Sequence, residues 1–181
     1  MITRFTVILL SILPLVPEST ALSDEVDPAL GNGAHPIWGN PVGGLSSHIY
    51  AKKSGFVVGE PIIVYYEIKN VSKQPLIVWH SGFWSNHLIW VLRTDGKEVE
   101  LTEKGETVRD AFSPEGIREK NVPFLIEPGK ADSTWSPYDI TQYFQINSPG
   151  TYVIQYIYEE YQEGWSGRLL SNEISVNVES L

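Results

Sequence analysis

From Leu45 onward the chain reads as short apolar runs broken by Gly, Pro, Asn and Asp, with period-two alternation and no sustained helical period. The alternation predicts strands at 46–51, 61–69, 75–80, 87–93, 130–135, 151–158 and 170–178, with a weaker one between 97 and 112. β-branched and aromatic residues fill them, as in Ile62-Ile63-Val64-Tyr65-Tyr66 and Tyr152-Val153-Ile154. Gly59-Glu60-Pro61 and Asn70-Val71-Ser72 bracket one strand with turn chemistry, and Asp95-Gly96 is a tight-hairpin signal. Seven or eight short strands at this spacing predict an all-β antiparallel sandwich over residues 45–181. One short helix is predicted at 137–143, because Ser136-Pro137-Tyr138-Asp139 offers a capping Ser, a Pro at the first helical position and an Asp at the third.

Ser148-Pro149-Gly150-Thr151-Tyr152 places a Tyr two residues beyond a turn Gly at the start of a strand. That placement resembles the tyrosine corner of immunoglobulin-like sandwiches, whose hydroxyl bonds back to the chain just upstream. Tyr152 is therefore read as structural. Gly59-Glu60-Pro61, Asn70-Val71-Ser72, Asp95-Gly96, Pro128-Gly129 and the segment 139–152 follow an order that is similar to secreted immunoglobulin-like modules. The chain resembles the non-catalytic β domain ahead of deuterolysin-type metallopeptidases and, more loosely, the BsuPI-type proteinase inhibitors. The resemblance covers residues 45–178 and rests on turns and a corner, so it implies a fold more than a function. The zinc motif His-Glu-x-x-His of those peptidases is absent, and no catalytic residue carries over. The inhibitor likeness implies a secreted protease as partner, with no residue-level motif to transfer.

The amino terminus changes the picture of compartment. Arg4 precedes an apolar run from Phe5 to Val16, and the polar, small-residue stretch Glu18-Ser19-Thr20-Ala21 follows. This is the order of a signal peptide over residues 1–21, and it implies an exported protein, secreted or periplasmic. The run is well short of the roughly 20 apolar residues that a bilayer core demands, so no membrane span is expected after cleavage. Residues 22–44, rich in Asp, Gly, Asn and Pro, read as a leader or linker carrying Pro36-Ile37-Trp38. Loss of Arg4 and Glu18 with the signal leaves the net charge at −9, which disfavours phosphate backbones and anionic lipid as partners. The chain has no Cys, which excludes disulfides, thiol catalysis and Cys-based metal sites.

The search for catalytic chemistry finds neither a G-x-S-x-G elbow nor a phosphate-cradling Gly loop, and no cofactor is implied. His80 and His87 flank the loop Ser81-Gly82-Phe83-Trp84-Ser85-Asn86 at the ends of two strands expected to pair, which would bring them together. They are the metal-ligand candidates, without an evident third ligand. The acidic groups Asp24-Glu25-Asp27, Glu98 to Asp110 and Glu159-Glu160-Glu163 lack calcium-loop spacing and read as solvated surface.

One feature asks for a partner. If strands 75–80, 87–93 and 151–158 share a sheet, both of its faces are apolar. A patch of Trp79, Ile77, Val91, Ile89, Val153 and Ile157 would then need a cover, from residues 22–44 or 111–127, from another protein, or from a second copy. The leading expectation is a non-enzymatic exported binding module centred on Trp79, with Phe83 and Trp84 at the rim. Inhibition of a secreted protease through loop 81–87 and a metal-dependent enzyme using His80 and His87 are the alternatives. A carbohydrate stacked on Phe83, Trp84 or Trp165 ranks behind a protein partner.

Overall fold

A computed structural model describes residues 36–80, 85–111, 122–134, 136–161 and 163–181. The expected signal peptide, most of the expected leader, and Phe83 and Trp84 lie outside the described residues. The fold is all-β and sandwich-like. One four-stranded sheet holds β1 (Leu45–Ala51), β3 (Ile63–Asn70) and β7 (Ala131–Asp132) in that order, with β8 (Tyr138–Asp139) also on β3. The other runs β2 (Gly55–Val57), β10 (Gly167–Glu179), β9 (Gly150–Glu160), β5 (His87–Arg93), antiparallel except for the β2–β10 pair. A third, two-stranded sheet pairs β4 (Leu76–His80) with β6 (Val122–Ile126).

Alternation builds the core between the two larger sheets. Val64, Tyr66 and Ile68 of β3 and Tyr152, Ile154 and Tyr156 of β9 are almost wholly buried, as are Ile89 and Val91 of β5. The corner is closed by Tyr152, whose hydroxyl donates to the carbonyl of Ser148 at 2.7 Å.

Two local expectations are corrected. The helix expected at 137–143 is a single 3₁₀ turn, Ile140–Gln142, and its cap is Asp139, which accepts from Thr141 N–H at 3.1 Å. Tyr138 and Asp139 are drawn into pairing with β3 instead, and Ser136 Oγ accepts from Tyr66 N–H. A true helix, α1 (Glu103–Ala111), occupies the region where a weak strand was expected. Thr102 caps it, accepting from Gly105 N–H at 3.1 Å. Gly105 within it is required, since a Cβ at that position would lie 2.3 Å from the carbonyl oxygen of Tyr143.

Candidate functional site

The expected patch divides. Ile77 and Trp79 do share the outer face of β4, Ile77 exposed at 44 % and Trp79 half-buried. Ile89 and Val91, however, are core residues at 1 % and 2 % exposure, so the face assigned to β5 is reversed. The cause is register. Cross-strand partners share a face, and β5 sets Leu92 opposite Val153, Trp90 opposite Gln155 and Leu88 opposite Ile157. Trp90 is the outward residue, 45 % exposed. The Arg168 guanidinium sits 5.4 Å above its ring and pairs with Glu159 at 3.0 Å. Ile157, on this same outer face, is fully buried between its cross-strand partners Leu88 and Leu170. The outer face of this sheet is thus apolar but partly roofed by its own side chains.

The second correction is the assignment of β4. It does not share a sheet with β5 and β9, but pairs with β6, a strand inside a segment expected to be a connection. The run Val122-Pro123-Phe124-Leu125-Ile126 is an apolar signal that could have marked it, although Pro within a strand is confined to edges and bulges. The structure resolves the conflict. The N–H of Trp79 and the carbonyl of Ile77 are bonded away from β6, to Tyr158 Oη and to the N–H of Trp165. Trp79–Pro123 and Ile77–Leu125 are therefore the non-hydrogen-bonded pairs of this ladder, and Pro123 costs it no bond. At the edge of β6 that pairs with no strand among the described residues, Pro123 removes a donor that another strand would use. What the ribbon presents instead is side chains: the cross-strand partners Ile77 and Leu125 are 44 and 52 % exposed on its outer face, while the exposed Val122 and Phe124 lie on the other face, opposite His80 and Val78.

Beneath the ribbon lies a buried polar chain. His80 Nδ1 is 2.9 Å from His87 Nε2, His80 Nε2 is 3.0 Å from Asp132 Oδ2, and His87 Nδ1 is 2.6 Å from the Tyr156 hydroxyl. The four residues come from β4, β5, β7 and β9 and so join all three sheets. Burial, helped by the adjacent His80 imidazole, pushes His87 down to about 3, so its ring is neutral. Burial raises Asp132, but hydrogen bonds from His80 and Thr134 outweigh it and hold the carboxyl below its usual range. The two histidines do come together, although their strands do not pair with each other. A metal between two imidazoles at about 2.0 Å each, in tetrahedral geometry, would hold the nitrogens about 3.3 Å apart. The observed spacing is a hydrogen bond, both nitrogens of His87 are bonded, and His80 Nε2 faces the Asp132 carboxylate at 3.0 Å. Among the described residues no group of three or more His, Cys, Asp or Glu is arranged to hold a metal ion. Asp132 was missed because only sheet pairing brings it to His80.

The other edge strand is also blunted. The Asn172 side chain meets β1 as a surrogate peptide unit, accepting from Ile49 N–H and donating to Ile49 O, each at 2.9 Å. Gly39 N–H takes the carbonyl of Ser47, so residues 36–44 lie along this edge and not on the ribbon. Among the described residues no helix is long and apolar enough to cross a membrane. No protein-family model matches the chain, and no curated protein sequence matches it.

Proposed function

We propose that this chain is an exported, non-catalytic binding module that engages another protein through the β4–β6 ribbon. The observation that carries this reading is the outer face of the ribbon, where the exposed cross-strand partners Ile77 and Leu125 lie beside the half-buried Trp79 and its partner Pro123. Singly exposed hydrophobics are ordinary, but a contiguous set on a ribbon is the composition of an interface centre. Glu163 and the half-buried Trp79, joined by an indole N–H bond to the Glu163 carbonyl, give that centre a polar margin. The blocked edge at Pro123 favours contact through side chains over strand addition. The signal-like residues 1–21 support export.

A photo-crosslinking amino acid at position 125, compared with one at position 90, tests the reading. Adducts with one discrete protein from 125 and none from 90 support it. Equal labelling at both positions, or no adduct at 125, removes it.

A further inference from the structure

The buried chain beneath the ribbon has a proton count that fixes its behaviour. It contains three links: Tyr156 to His87, His87 to His80, and His80 to Asp132. With Asp132 ionised and both imidazoles neutral it holds three protons, one per link. Tyr156 donates to His87 Nδ1, His87 Nε2–H donates to His80 Nδ1, and His80 Nε2–H is set against the carboxylate at 3.0 Å. A fourth proton, on either ring, makes His87 Nδ1 a donor and forces the Tyr156 hydroxyl to seek a new acceptor. Among the described residues His87 is the only hydrogen-bond partner of that hydroxyl, and the ring of Tyr156 is stacked on Tyr66 at 4.1 Å. A fifth proton would set two N–H groups facing each other in one link. Every group of the chain, the Tyr156 hydroxyl included, has a partner only at three protons.

We propose that this chain is an acid latch: it clamps the β4–β6 ribbon onto both large sheets at neutral pH and releases it as His87 takes up a proton in mildly acidic solution. The inference stands on the core geometry and not on the ribbon's role as a binding surface. Among the described residues, the titratable groups facing His87 are His80 from β4, Asp132 from β7, Tyr66 from β3, and Tyr156 and Tyr158 from β9. Asp132 alone of these offers a compensating negative charge, and His80 stands between it and His87. Tyr138 lies behind Tyr66, and Glu160 is turned to Asn86. Burial raises Tyr66, Tyr156 and Tyr158, so they remain neutral across the acid range. An exposed imidazole titrates near 6.5, so the open form accepts the proton readily and the closed form resists it.

The experiment is amide hydrogen exchange of the full chain between about pH 7.5 and about pH 4.5, corrected for intrinsic exchange, read separately for β4–β6 and for β9–β10. Linkage predicts that ribbon opening rises about tenfold per pH unit below about 6.5, with β9–β10 staying protected. A ribbon whose opening ignores pH, or exchanges in step with β9–β10 at every pH, overturns the latch. His87→Phe should flatten the ribbon's pH profile, and a folded variant that keeps the wild-type slope also overturns it. Isotope-labelled histidine NMR of the unaltered protein reads the same point without a substitution. His87 should stay neutral while the ribbon is closed; an imidazolium at His87 with the ribbon still protected sinks the proposal.

Discussion

Tyr156 and Tyr66 form a matched pair in the core, and the difference between them is a sharp measure of what the buried chain contributes. Their rings stack 4.1 Å apart at 16°, and both are at most 2 % exposed. The Tyr156 hydroxyl is bonded to His87 at 2.6 Å, whereas the Tyr66 hydroxyl is buried with no partner among the described residues. Tyr156→Phe keeps the ring packing but strands His87 Nδ1 without a donor, which costs about 1–3 kcal/mol. Tyr66→Phe removes a hydroxyl that was stripped of water for no bond, so its effect is about zero or slightly stabilising. In urea, with a slope of about 2 kcal/mol per molar for a domain of this size, the first change lowers the midpoint by about 0.5–1.5 M. The second leaves it in place or raises it. Equal midpoints for the two variants, or a larger loss from Tyr66→Phe, would refute the reasoning.

Other expectations follow from the same geometry. Ile77→Lys and Leu125→Lys should each change stability by no more than about 0.5 kcal/mol, while Val91→Lys buries an unpaired charge and should abolish a cooperative thermal melt. Because His87 is held near 3 when folded and is free to titrate near 6.5 when unfolded, the unfolded chain binds more protons as pH falls. Stability by chemical denaturation is therefore complete above about pH 6.5 and drops by up to about 2 kcal/mol between about pH 7 and about pH 5, before the lowered Asp132 adds its own loss below about 4. Asn172→Leu removes both bonds to Ile49 and should cost about 2 kcal/mol and expose the β1 edge, giving concentration-dependent association by sedimentation.

Strand positions were legible because their signals are local: alternation, β-branched density and turn residues lie within a few positions of each strand. The corner at Tyr152 was legible for the same reason, since its partner Ser148 is four residues upstream. Pairing was not. Nothing near Leu76–His80 says that its partner is the distant Val122–Ile126 and not the adjacent His87–Arg93, and Pro123 pointed away from the answer until its edge-facing position was known. The face of β5 failed for a related reason: both Ile89/Val91 and Leu88/Trp90/Leu92 are apolar, so alternation alone cannot orient the strand. The helix at Glu103–Ala111 is almost wholly polar and carries no apolar stripe to read, and its Gly105 serves the close contact with Tyr143. Of the candidate site, the nearness of His80 and His87 could be inferred, but the carboxylate that completes their chain arrives through tertiary pairing alone.

The ribbon as a protein-binding surface is open to a paired capture experiment. The protein and an Ile77→Lys/Leu125→Lys variant, both verified as folded by circular dichroism, are immobilised and exposed to the proteins of the native source, exported fraction included. A protein retained by the first and lost from the second is the predicted result. The same set on both supports, or nothing on either, would contradict the assignment of the ribbon.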